Sequence, residues 1–157
     1  MIDILKEVDI DIKRCEDVIK ENNYLEIVIA IEELNDKYRA RISELSNGEF
    51  DNVWDYSKKD LENIEKSLIK YKEEIIEKNK NKTIKEKLDD LIQYLNNNNI
   101  KNKDELIKEI NLIEDIYYKE ISLDKKWNEL KISLDIIKTI DREVGIYILE
   151  IILLIIQ

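Results

Sequence analysis

Residues 144–157 read VGIYILEIILLIIQ, and the fold turns on whether this apolar end is a membrane anchor, a core segment or a surface for a partner. A membrane span takes about 20 apolar residues. The stretch after Asp141-Arg142-Glu143 has only 14 residues in all, Glu150 among them, and a carboxylate in mid-span costs about 2.5 kcal/mol or more. A helix lying in the membrane interface is also disfavoured, because that role uses lysine and arginine along the polar face and this segment has neither. Packing is what remains. Trp127, Leu130, Leu134 and Ile137 step by 3, 4 and 3, and the register continues through Val144, Ile148, Ile151 and Ile155. That spacing predicts one amphipathic helix, capped by Ser122, whose polar face turns apolar after Arg142. A helix apolar on all sides is buried on all sides, so Ile148, Ile151, Ile152 and Ile155 are expected in a core or at an interface between copies.

Upstream, the same 3-and-4 spacing recurs. Leu5, Val8, Ile12, Cys15 and Ile19 form one stripe, ended by Asn22-Asn23. Ile27, Ile31, Leu34, Tyr38, Ile42 and Leu45 predict a second helix, stopped by Ser46-Asn47-Gly48 with Gly48 as a left-handed cap. A third is predicted over about residues 57–79 from Leu61, Ile64, Leu68, Tyr71 and Ile75. The polar run KNKNKT, residues 78–83, reads as a linker. A short fourth helix follows on Ile84, Leu88, Leu91, Ile92 and Leu95, then a fifth with Asp104 as N-cap and Leu106, Ile110, Ile113, Tyr117 and Ile121 on its apolar side. The expected fold is all-α: a bundle of about five to six helices in a single domain, 1–157, with two halves, 1–80 and 84–157, as the alternative division.

Composition agrees with that class. The chain has no proline and only two glycines, Gly48 and Gly145, which leaves little to interrupt long helices. The 31 isoleucines against 17 leucines pull mildly toward strands. Isoleucine, lysine, asparagine and tyrosine all have AT-rich codons, however, and arginine appears four times only. The bias fits an AT-rich bacterial or phage genome, so the asparagine runs carry no functional reading. The N-terminus lacks a cationic region followed by an apolar one, and the lone Cys15 has no disulfide partner, which together point to the cytoplasm.

Most chemistry is missing. The chain has no histidine, hence neither the commonest general base nor the commonest metal ligand. There is no glycine-rich phosphate loop, no HExxH and no CxxC. Carboxylate groups such as Glu26, Glu33 and Asp36 lack the histidines that complete a helical metal site. No catalytic residue, metal or cofactor is assigned, and Cys15 sits on an apolar stripe where an inert thiol is expected. The net charge is −10, and residues 1–57 hold 15 acids against 7 bases. Such a field repels nucleic acid and attracts basic proteins.

Elimination leaves binding to another protein. The expected function is an acidic inhibitor or immunity-type module that meets a basic partner. Its candidate contacts are Asp9, Asp11, Glu16, Glu32, Glu33 and Asp36, with Phe50, Trp54 and Tyr56 of the EFDNVWDYSKKD segment as aromatic anchors. The alternatives are a scaffold that assembles into homo-oligomers through its C-terminal helix and a phage protein that blocks a host defence complex.

Overall fold

The computed structural model describes residues 3–46 and 53–157, and every regular element among them is helical. Two compact units divide the chain, Met1–Lys78 and Asn79–Gln157. The expected Gly48 cap and the Phe50 anchor lie outside the described residues.

The first unit starts with α1 (Ile4–Glu21) and α2 (Tyr24–Tyr38). Asn22 and Asn23 separate them as the sequence predicts. Asn22 adopts the left-handed conformation (φ 54°) that closes α1, while the Asn23 side chain accepts from the N–H groups of Leu25 (3.0 Å) and Glu26 (3.4 Å) to open α2. The predicted second helix is shorter than its apolar register. It stops at Tyr38, the N–H groups of Arg41 and Ile42 both turn back to the Tyr38 carbonyl, and a one-turn α3 (Ser43–Ser46) follows. Ile42 and Leu45 are buried all the same. Periodicity reported which residues enter the core; the bend delivers them. A 3₁₀ turn (Val53–Asp55) precedes α4 (Lys58–Asn97), whose first part brings Leu61, Ile64 and Leu68 against Val8, Cys15, Ile31, Leu34 and Tyr38.

The predicted linker at 78–83 is helical, a correction to the sequence reading. The third and fourth predicted helices are one 40-residue element, α4. Lysine is a good helix former and asparagine a weak one but not a breaker, and no glycine or proline occurs there. Side chains of the second unit also occupy the run: Lys80 donates to the Ile155 carbonyl (3.2 Å), and the Tyr117 hydroxyl donates to Asn81.

In the second unit α5 (Lys103–Tyr118), α6 (Leu123–Ile140) and α7 (Arg142–Ile156) pack with the later part of α4 around Leu88, Leu95, Leu106, Ile110, Ile113, Leu130 and Ile137. The N-cap of α5 is Asn102 (φ 58°), not Asp104, which lies in the first turn, and α5 ends before Ile121. Ser122 caps α6 as expected, its hydroxyl accepting from the Lys125 N–H. The predicted continuous last helix is instead a hairpin of two helices. Asp141 is extended (φ −149°, ψ 116°), and its carboxylate accepts from the N–H groups of Glu143 (2.9 Å) and Val144 (3.1 Å). The new helix start is what lets α7 fold back onto α6. Gly145 marks the close approach: a Cβ there would stand 2.7 Å from Lys138 Cγ and 3.1 Å from Lys138 Cα.

Ile148, Ile151, Ile152 and Ile155 are all buried in the core of this unit. The helix is not buried all round, contrary to the sequence reading, since Ile146 and Leu153 are 51% and 46% exposed. No helix among the described residues is long and apolar enough to cross a membrane.

Candidate functional site

The first unit carries the acids that the sequence singled out, and its helices sort them into different environments. On the seam between α1 and α2 they are neutralised internally. Asp11 is buried, accepting from the Tyr38 hydroxyl at 2.6 Å and from Lys37 Nζ at 2.5 Å. Lys37 also pairs with Glu7 (3.0 Å), and Arg14 pairs with Glu33 (2.6 Å). Burial pulls the Lys37 ammonium down, but the hydrogen bonds to Asp11 and Glu7 outweigh it and its pKa ends above the ordinary lysine value. The Tyr38 hydroxyl is raised by burial and then by its bond to Asp11. Asp11 therefore belongs to the interior, a correction to its place among candidate contacts. Cys15 lies one turn further along the same stripe, fully buried, and burial followed by the nearby carboxylates of Glu65 and Asp11 pushes its thiol up to about 12.

Between α1 and α4 a second arrangement appears. Asp9 pairs with Lys72 (2.6 Å) beside a shallow groove lined by Ile12, Ile69 and Ile76. Glu16 borders this groove close to Glu65, whose carboxyl is raised above the ordinary glutamate value by burial and by its neighbours Glu16 and Glu62. Lys66 offsets part of this repulsion without cancelling it.

The outer face of α2 brings the remaining candidates together. Leu25, Ile29, Glu32 and Asp36 recur at steps of 4, 3 and 4, which places them in one line along the helix. Leu25 is 64% exposed, Ile29 is more than a third exposed, and both acids are exposed. Trp54 and Tyr56 are tied to this helix: the Tyr24 hydroxyl donates to the Trp54 carbonyl (3.4 Å), and the Tyr56 hydroxyl donates to Glu32 Oε1 (2.7 Å). Between those ties Trp54 stands 84% exposed. Tyr56, by contrast, is buried and acts as the peg that holds the segment down, a correction to its reading as an exposed anchor. Asp36 has a loose surface pairing with Arg39 at 3.8 Å, worth little in water.

The outer face of α2 therefore carries exposed Leu25 and Ile29 in line with Glu32 and Asp36, and the Tyr24 and Tyr56 bonds hold the segment with exposed Trp54 to the same helix. Leu25 and Ile29 were missed in the sequence because they lie off the core register, and that departure was the available signal. No group of three or more metal-ligating side chains gathers among the described residues. Comparison with known proteins brings no match: no family, no curated protein and no solved structure is similar to this chain.

Proposed function

We propose that the protein works by binding another protein, without catalysis, and that its partner presents apolar side chains ringed by lysine and arginine. An inhibitor or immunity-type role follows from that pairing, because an acidic module that covers a basic working surface blocks it. The observation that carries the reading is exposed Leu25 and Ile29 in line with Glu32 and Asp36 on α2, with the segment of exposed Trp54 held to the same helix. Aromatic side chains dominate binding energy at the centre of interfaces, while peripheral charges set the association rate.

The test is capture from the native source by the full chain and by a Trp54→Ala, Leu25→Ala variant. Both residues are well exposed, so the fold should survive their truncation. One basic protein recovered by the parent and lost by the variant supports the reading; equal recovery by both overturns it.

A second reading, self-assembly through the C-terminal helix, is favoured by the outward Ile146 and Leu153 on α7. Sedimentation decides it. A multimer that Leu153→Glu converts to monomer supports assembly, whereas a monomer at all concentrations excludes it.

A further inference from the structure

The second unit holds a cavity of about 370 Å³ where the C-terminal part of α4, the turn carrying Ile100 and the start of α7 meet. That volume lies within the range of small-ligand sites. Its floor is apolar: Leu91 and Val144 are buried and Ile100 is half-buried. Tyr94 and Tyr147 also line it, Tyr94 half exposed and Tyr147 partly covered. Asp90, Asp141 and Glu143 contribute carboxylates, and no lysine or arginine lines the cavity. Asp141 is committed to capping α7. Asp90 and Glu143 are exposed and enter none of the ion pairs formed among the described residues.

The lining selects the ligand. The exposed carboxylates of Asp90 and Glu143 disfavour anions such as phosphates. A bare metal ion would leave the apolar floor and the aromatic rings unused, and the acids do not converge as a metal-binding group. A neutral aliphatic molecule would leave the carboxylates unused. An ammonium on a methylene stem uses all three: charge-assisted hydrogen bonds to carboxylate, attraction to tyrosine ring faces and burial of the stem. Two other grooves lack this combination: the α1–α4 groove carries Lys13 and Lys72, and a surface depression on α5 carries Lys108.

We propose that the cavity between α4 and α7 binds an alkylammonium group, with Asp90 and Glu143 holding the nitrogen, Tyr94 and Tyr147 flanking it and Leu91 and Val144 supporting the stem. The chemistry has two sources, a free aliphatic polyamine or the lysine side chain of another protein. This site shares no residue with the α2 face, so either can fail without the other.

The test is amide-resolved NMR titration of the full chain with 1,5-diaminopentane and with Nα-acetyl-lysine amide, using 1-pentanol as the neutral control. Binding in about the millimolar range is expected, as suits so small a ligand, with shifts centred on Tyr94, Val144 and Tyr147 and none with pentanol. In Asp90→Asn, Glu143→Gln affinity should fall by about tenfold or more, and in Tyr94→Ala by severalfold, with the amide spectrum of each unliganded variant retaining the folded pattern. Tighter binding of the diamine assigns a free polyamine; tighter binding of the lysine amide assigns a protein side chain. Absence of shifts, shifts scattered over the acidic surface, or affinity indifferent to these variants would overturn the proposal.

Discussion

Asp11 shows how a single residue can be misjudged from sequence. A charged side chain on an apolar helix stripe looks like a surface group, yet Asp11 is held in the interior by Tyr38 and Lys37. Asp11→Ala should cost about 1–3 kcal/mol in urea unfolding, because it strands the buried Tyr38 hydroxyl without its acceptor. It should not alter partner binding in the folded protein, which separates it from Trp54. Glu65 behaves in the opposite sense. Its folded pKa is raised by burial, Glu16 and Glu62, so the folded state takes up a proton more readily than the unfolded state does. The combined penalty of burial and repulsion is full above the folded pKa and vanishes as pH falls to the ordinary glutamate value of 4.5. Glu65→Gln should therefore raise stability by roughly 0.5 kcal/mol at neutral pH, with the gain over the parent disappearing in acid melts.

At the scale of elements, the instructive case is the run from 78 to 83. Its composition resembles a linker, but its backbone continues α4 and its side chains reach Tyr117 and the end of α7. A linker would tolerate proline. Asn81→Pro should instead cost about 3 kcal/mol or more, since the ring removes a helical hydrogen bond and strains the preceding turn, a loss that chemical denaturation can measure. The opposite error occurred at Asp141, where an apolar register crossing 137–144 concealed a break. An N-cap acid followed by Glu143 was a legible start signal, but periodicity outweighed it. The helix could reverse there because Gly145 lets α7 lie close to Lys138. Gly145→Val should destabilise the protein by about 1–3 kcal/mol, checked by thermal unfolding, as Lys138 offers little room for a branched side chain.

For the whole molecule, the net charge of −10 governs encounter more than fold. If a basic partner docks on the α2 face, raising salt from about 0.05 M to 0.5 M should slow association by about tenfold or more in stopped-flow mixing; a rate indifferent to salt would remove charge from the account. The all-helical class was legible because scarce glycine, absent proline and an apolar repeat of 3 and 4 all favour the same local structure. Core membership was legible for the same reason: Ile31, Leu68, Ile113 and Ile148 announce their faces through spacing and are all buried. The exposed set of Leu25, Ile29 and Trp54 was only half visible, with Trp54 nominated and the two aliphatics overlooked, since spacing cannot say which off-register apolar residue stays uncovered. The sequence by itself thus determined helicity, the buried stripes and the charge. Tertiary structure alone decided where helices bend or run on, which acids are paired, and which apolar residues meet solvent, because those outcomes depend on contacts between segments remote in the chain.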